Sequence, residues 1–162
     1  DKVTTPESEY IKPRQATRVV LFDQEGLVAL GGNDWSNGED LFYSMIGGGI
    51  DEGETIEEAL LREALEETGC KIKNIKELGV VEERGIGNEK SGRQIQINHC
   101  FTADVDGEKG EPQYTEKDIL DKLQLVWMPL DDAIERLRNQ EDDFMTRKTL
   151  FLLEEAKKLK VF

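Results

Sequence analysis

The sequence is poor in the residues that build disulfide-linked, zinc-thiolate or imidazole-rich proteins. Among 162 residues there are two cysteines and one histidine. Cys70 and Cys100 show no metal-ligand spacing, and two thiols are too few for a disulfide framework. We therefore expect a reduced, cytoplasmic protein and exclude the small disulfide-bonded folds.

Long apolar runs and an excess of positive charge are absent as well. No stretch approaches the roughly 20 apolar residues that span a bilayer, and no signal peptide is visible, so we expect no membrane partner. Acidic residues outnumber basic residues by 35 to 21, which gives a net charge of −14. Such a chain cannot neutralise the backbone of a nucleic-acid polymer. A small phosphorylated substrate is compatible with this charge if a bound metal ion offsets it.

The length predicts a single domain with its own hydrophobic core. Residues 1–13 are polar and carry two of the four prolines, so we interpret them as a flexible N-terminal arm. Residues 14–162 then form the domain. The sequence does not decide between a monomer and a homodimer.

Glutamate is abundant, and it is concentrated on one predicted helix. Thr55 followed by Glu58 makes a capping box that begins this helix, and Gly69 ends it. Leu60, Leu61, Ala64 and Leu65 are predicted to form its packing flank.

Three glutamates of the same helix, Glu63, Glu66 and Glu67, are spaced three and four residues apart. Residues at these spacings lie side by side, so the carboxylates are expected to share one patch. Like charges this close repel unless a cation lies between them, and Mg²⁺ or Mn²⁺ favours such hard oxygen ligands. The alternative is an ordinary solvated acidic face, which the glycine-rich turn directly before the helix makes less attractive.

Residues 48–70 resemble the signature box of the Nudix hydrolases. All seven fixed positions of that box are matched, by Gly48, Glu54, Arg62, Glu63, Glu66, Glu67 and Gly69. At residue frequencies of about 7%, a chance match at one start site is on the order of one in 10⁸. Minor departures are Ala64 and Cys70 at the semi-fixed aliphatic positions, and Ile46 where many members carry proline.

The resemblance implies a fold and a metal site. The fold is α/β, with an α/β/α sandwich around a mixed β-sheet. The metal ligands are Glu63, Glu66 and Glu67 with the carbonyl of Gly47, and the metal is Mg²⁺ or Mn²⁺. Arg62 is implied to brace the glycine loop or to orient Glu63, and we count both Arg62 and Glu63 as catalytic.

The resemblance also requires a further carboxylate, as a general base or an outer ligand, from a loop across the cleft. In some family members this residue follows the long central strand. Glu116 occupies the matching segment here and is our predicted third catalytic residue, with Glu111, Glu82 and Glu83 as alternatives.

The rest of the chain predicts strands and helices in alternation. The predicted strands are 17–22, 27–30, 41–46, 72–83 with a break near 76–77, 93–105 and 123–128. The first two are expected to form a hairpin around a turn at 23–26. The predicted helical segments are 118–122, 129–138 and 144–158, and the predicted loops are 31–40, 84–92 and 107–117.

Three polar or aromatic residues are candidates for binding substrate. Trp35 lies in a glycine-rich loop, where it either anchors the loop or stacks on a nucleobase. Gln96 and Asn98 lie on the polar side of an alternating strand and are candidates for lining a polar cavity. His99, on the other side of that strand, is interpreted as structural.

The family resemblance implies hydrolysis of a diphosphate bond in a nucleoside diphosphate linked to another group. Subclass markers beyond the box, a proline near 85 for ADP-ribose or a tyrosine near 87 for dinucleoside polyphosphates, are replaced by Gly85 and Gly87. The default is therefore a nucleoside triphosphate pyrophosphohydrolase that gives a monophosphate and pyrophosphate. An ADP-ribose or nucleotide-sugar pyrophosphatase and a non-catalytic nucleotide-sensing domain are the alternatives.

Overall fold

The protein is described here by a computed structural model that covers residues 13–34, 40–86 and 93–160. The strands are β1 (Arg14–Phe22), β2 (Leu27–Asn33), β3 (Phe42–Gly49), β4 (Lys71–Ile86), β5 (Arg93–Asp106) and β6 (Leu123–Pro129). The helices are α1 (Ile56–Thr68), α2 (Glu116–Leu120), α3 (Leu130–Asn139) and α4 (Phe144–Lys160). Nearly all of the predicted N-terminal arm, and Trp35, lie outside the described residues.

The six strands form one mixed sheet in the order β4-β5-β1-β3-β2-β6. β1 and β5 are parallel, and the other neighbours are antiparallel. Helix α1 packs on one face, where Leu60 and Ala64 join a buried cluster with Val19 and Leu21. Helices α3 and α4 pack on the other face, where Leu137 and Leu152 join the second cluster. The predicted α/β/α sandwich around a mixed sheet is therefore confirmed.

The predicted hairpin of β1 and β2 is correct at its turn but wrong beyond it. Gly26 has φ +84° in that turn, and the Asp23 carboxylate accepts hydrogen bonds from the backbone N–H of Glu25 and Leu27. The two strands pair only at Phe22 and Val28. They splay apart because β3 inserts between them and takes over their remaining pairing.

The glycines at the end of β2 were wrongly predicted to begin a loop. Gly31 and Gly32 are strand residues, paired with β3 on one side and β6 on the other. A Cβ at Gly31 would lie 2.9 Å from Leu123 Cδ1, and one at Gly32 would lie 3.0 Å from Leu41 Cδ1. Glycine is thus used here for close side-chain packing and not for a turn.

Helix α1 begins and ends as predicted, but its buried stripe is rotated. Thr55 and Glu58 form the reciprocal capping box, and Gly69 adopts φ +69° at the C-terminus. The predicted packing residues Leu61 and Leu65 are 42% and 38% exposed, which contradicts that part of the prediction. Because the buried stripe runs through Ala59, Leu60, Ala64 and Thr68, it brings Glu63, only 9% exposed, into the interior.

The irregularities of β4 and the boundaries of the later helices follow from local backbone geometry. Register shifts between β4 and β5 fall at 73–76 and 77–79, which matches the predicted break, and Asn74 has φ +53° there. Helix α2 begins at Glu116, two residues earlier than predicted, because Thr115 and Asp118 form a capping box.

No helix in the described ranges is long and apolar enough to cross a membrane.

Candidate active site

The site lies where the glycine turn at the end of β3 meets α1. The N–H of Gly47 donates a hydrogen bond to Glu67 Oε2 at 2.8 Å. Gly47 has φ +142°, and a Cβ there would overlap the Thr17 carbonyl oxygen. A Cβ at Gly48 would overlap the carboxylate of Glu63. The turn therefore has to be glycine, because the carboxylates of α1 lie directly against its bare backbone.

Arg62 holds this turn and the carboxylates together. Its Nε and Nη2 donate to the two oxygens of Glu54 at 2.7 and 2.8 Å, in the bidentate geometry that suits a guanidinium. Nη2 also donates to the carbonyl of Gly49 at 2.9 Å, and Nη1 to Glu63 at 3.0 Å and Glu66 at 3.4 Å. These hydrogen bonds lower the pKa of Glu54 to about 2. Arg62 thus contacts both the loop and Glu63, the two partners that the family resemblance implies.

Burial dominates the electrostatics of Glu63 and Glu67. Removal from water raises the pKa of Glu67 to about 8, although the hydrogen bond from Gly47 opposes this change. Burial also raises the pKa of Glu63, and the neighbouring Arg62 charge opposes it. A carboxylate that is costly to ionise in a dry site gains from any nearby cation, because the cation's attraction offsets the lost hydration.

The three glutamates of α1 supply the kind of oxygen atoms that a divalent cation favours, but their side chains are not gathered around one point. Within the described ranges, no three carboxylate, imidazole or thiolate groups lie close enough together to hold an ion. The predicted shared patch is divided because Arg62 holds Glu63 and Glu66, while the Gly47 amide holds Glu67. The three residues nevertheless supply hard oxygen donors on one helix, and burial disfavours the charge of two of them, so their role as ligands of a divalent ion stays a prediction.

The segment after β5 lies along the C-terminal end of α1. The N–H of Gln113 donates to the carbonyl of Glu66 at 2.7 Å, and the N–H of Gly110 donates to the carbonyl of Gly69 at 3.0 Å. These bonds satisfy carbonyls that a helix end leaves unpaired. Glu111 lies exposed in this segment, beside that end of the helix.

Two residues near Glu67 were missed by the sequence analysis. The charge of Asp118 contributes to the raised pKa of Glu67, and burial together with Glu67 and Asp118 raises the pKa of Tyr114. The spacing Thr115-x-x-Asp118, a capping pattern, was the available signal. Glu116 itself is exposed in the first turn of α2, so its catalytic role stays a prediction.

Gln96 and Asn98 lie in a partly buried hydrogen-bonded group on the α4 side of the sheet. We call this group the polar cluster: Arg18 on β1, Glu83 on β4, Gln96 and Asn98 on β5, and Lys148 on α4. Asn98 is fully buried and donates to Glu83 Oε1 at 2.8 Å, while Lys148 Nζ donates to the same oxygen at 2.6 Å. Asn98 Oδ1 accepts from Gln96 at 2.9 Å and from Arg18 Nε at 3.4 Å.

The polar cluster contains some of the residues that were predicted to act in catalysis or substrate binding, and not others. Glu83, an alternative for the general base, belongs to the cluster, whereas Glu82 is exposed and paired with Arg84. Arg18 and Lys148 were missed, and the one available signal was a charged residue inside the apolar run of β1. His99 contacts Gln15 at 2.8 Å, as a structural imidazole would.

Comparisons with known proteins identify the family of this chain. A family model described as NUDIX domain matches residues 12–148. The chain is 35% identical over 74 residues to an NAD-capped RNA hydrolase, NudC, of Vibrio parahaemolyticus, which covers 46% of this chain and 25% of that protein. It is 35% identical over 78 residues to a putative 8-oxo-dGTP diphosphatase, YtkD, of Bacillus subtilis, covering 48% of this chain and 46% of YtkD. The chain thus spans between a quarter and about half of the length of these curated relatives.

A solved structure shares the whole architecture. The NUDIX domain of Shewanella oneidensis NrtR, in complex with ADP ribose, superposes with a TM-score of 0.63 over 97% of this chain and 94% of that chain. Its sequence identity is 21%, so this likeness establishes the fold.

Proposed function

The chain belongs to the NUDIX domain family, and from that premise we propose that it is a metal-dependent pyrophosphohydrolase of nucleoside diphosphate derivatives. The observation that carries the proposal is the Arg62 brace. A single guanidinium binds Glu54, the Gly49 carbonyl, Glu63 and Glu66, next to a half-buried Glu67. A domain that only senses a nucleotide has no need for this complete set of clustered carboxylates.

The residues present support hydrolysis of a phosphoanhydride bond. A divalent ion, when bound, would neutralise phosphate oxygens and lower the pKa of a bound water. Arg62 fixes the position of Glu63 relative to the glycine turn, and the Gly47 amide fixes Glu67. Because phosphoryl transfer depends mainly on positioning and on charge stabilisation, rigidly held carboxylates are what the reaction needs.

Among substrates, we favour a nucleoside triphosphate, hydrolysed by water to a nucleoside monophosphate and pyrophosphate. The name of YtkD, a putative 8-oxo-dGTP diphosphatase, supports this class. The second candidate is a diphosphate-linked sugar such as ADP-ribose, favoured by the ADP ribose in the NrtR structure. Gly85, where the ADP-ribose marker would be proline, counts against the second candidate.

Product analysis separates these possibilities. The protein is incubated with Mg²⁺ or Mn²⁺ and a panel of nucleoside triphosphates, nucleotide sugars and dinucleotides, and the products are separated by anion exchange. A monophosphate with pyrophosphate supports the favoured reaction, whereas a monophosphate with a sugar phosphate supports the second candidate. Stepwise release of orthophosphate alone would identify a phosphatase, and tight binding without turnover would identify a sensing domain.

Substituting Glu116 tests the predicted general base. We expect Glu116→Gln to lower kcat by about 100-fold with a much smaller change in KM, because a general base acts in the transition state. The fold should be unchanged, since Glu116 is exposed. Glu108→Gln, an exposed loop carboxylate, is the matched control and should retain full activity. An unchanged rate in Glu116→Gln, with a large loss in Asp118→Asn, would move the role to Asp118.

A further inference from the structure

The polar cluster contains more positive than negative charge. Lys148 is 8% exposed and pairs with Glu83, whose side chain is 16% exposed. Arg18 has no carboxylate within salt-bridge distance among the described residues, so the cluster holds two cations and one anion. Burial lowers the pKa of Lys148, and the charge of Arg18 lowers it further.

The guanidinium of Arg18 makes one weak hydrogen bond within the polar cluster. It runs from Nε to Asn98 Oδ1, at 3.4 Å, and that oxygen already accepts from Gln96 at 2.9 Å. A guanidinium carries five N–H donors. Arg18 is half-buried, and none of its nitrogens is a buried atom without a partner. The donors that the polar cluster does not use are therefore available to an acceptor outside it.

The cluster is next to the candidate active site. Arg18 is the ladder partner of Gly47, and paired Cα atoms in an antiparallel ladder lie about 4.5–5.5 Å apart. The amide of Gly47 holds Glu67, and Glu67 is the acid whose charge acts most strongly on Arg18.

We propose that Arg18 and Lys148 bind one phosphoryl group of the substrate, separate from the diphosphate that the proposed function places at the α1 carboxylates. The inference rests on the proposed function and makes it more specific. An additional binding site for a phosphoryl group would make the chain selective for triphosphates over simple diphosphates. Arg and Lys are the side chains that bind phosphate oxygens most strongly. A purely structural role is a poor explanation, because a buried Lys148 near a second, half-buried cation costs stability that apolar residues of similar size would not.

Substrate preference provides the first test. Lys148→Met and Arg18→Met should lower kcat/KM for a nucleoside triphosphate at least 10-fold more than for the diphosphate-ribose of the same base. Lys148→Arg keeps the charge and should retain the wild-type preference. Lys158→Met, on the exposed side of α4 and paired with Glu155, is the matched control and should not change it. Equal losses for both substrates would overturn the proposal.

Calorimetry provides a test that does not depend on turnover. In the presence of chelator, inorganic tripolyphosphate is titrated into the wild-type protein and the Arg18→Met and Lys148→Met variants. We expect at least 10-fold weaker binding in both variants, and unchanged affinity would overturn the proposal even if the chain proves to be a pyrophosphohydrolase. Weaker binding in a chain that hydrolyses nothing would support the anion site while refuting the proposed function.

Loss of folding must be separated from loss of binding. Lys148→Met leaves Glu83 without its cation, so the double variant Glu83→Gln with Lys148→Met removes the charges of both partners. We expect this double variant to melt near the wild-type temperature and still to bind tripolyphosphate at least 10-fold more weakly. Wild-type affinity in a folded double variant would contradict the proposal.

Discussion

Replacing Glu67 with glutamine should remove most of the hydrolytic activity and, at the same time, stabilise the metal-free protein. Glutamine keeps the size of the side chain and can still accept the hydrogen bond from Gly47. It removes a charge that a divalent ion needs, and losing about 3 kcal/mol of transition-state stabilisation would lower kcat about 100-fold. In the wild type, added Mg²⁺ or Mn²⁺ should raise the melting temperature, and in the variant this increase should be small.

The stabilising half of this prediction follows from the pKa of Glu67. The folded value is about 8, whereas an unperturbed glutamate has a value of 4.5. The folded state therefore keeps a proton that the unfolded state has released, so the favourable contribution is complete below about pH 4.5 and is lost as the pH rises through about 8. The difference corresponds to about 5 kcal/mol over that window. Glu67→Gln should abolish this loss of folding stability with rising pH.

The measurement is urea denaturation in the presence of a chelator at pH 5 and pH 9. We expect the wild type to lose several kcal/mol relative to Glu67→Gln between these values, since the variant has no titrating group at this position. Glu57→Gln, in the exposed first turn of α1, is the control and should behave like the wild type. Full hydrolytic activity in Glu67→Gln at limiting Mg²⁺ would contradict the assignment of Glu67 as a ligand.

The features of the fold that were predicted correctly are those encoded locally. The limits of α1 depend on Thr55, Glu58 and Gly69, all of which act within one turn of the helix end that they cap. The break in β4 was visible because polar residues interrupt an apolar alternation over a few positions. Local signals of this kind need no knowledge of the neighbouring elements.

The errors arose where packing between distant elements decides the outcome. Gly31 and Gly32 look like a loop in sequence, yet they lie in a strand because β3 and β6 pair with them, and Leu123 and Leu41 fill the space where larger side chains would lie. Leu61 and Leu65 were expected to be buried, but the side of α1 that meets the sheet runs through Glu63 instead. Local periodicity cannot show which flank a sheet will cover when both carry apolar residues.

The same distinction between local and distant contacts applies to the candidate site. Arg62 and the glutamates of α1 lie within one short segment, and the family resemblance implied the contact of Arg62 with Glu63. The single patch that spacing predicted for the three carboxylates is divided, because Arg62 and the Gly47 amide hold them apart. The polar cluster joins β1, β4, β5 and α4, and Arg18 is 80 positions from Asn98. Charged residues in such distant segments look like solvated surface until the fold brings them together, which is why Arg18 and Lys148 were missed.

Arg62 is the residue whose loss should damage both the fold and the site. Replacing it with methionine leaves Glu54, Glu63 and Glu66 without their shared cation and the Gly49 carbonyl without its donor. Breaking one partly buried ion pair from one side costs about 3 kcal/mol, and the displaced Glu63 should lower kcat at least 100-fold. Arg62→Lys should recover little, because an ammonium group cannot reproduce the bidentate fork.

A double variant distinguishes the two kinds of damage. Adding Glu54→Gln to Arg62→Met removes the carboxylate that loses its closest partner, so a large part of the stability should return. Activity should not return, because Glu63 and the Gly49 carbonyl are still without the guanidinium that holds them. Chemical denaturation and steady-state kinetics on the wild type, both single variants and the double variant measure the two effects separately. If activity recovered together with stability, Arg62 would serve only the fold, and the placement of Glu63 would depend on the glycine turn alone.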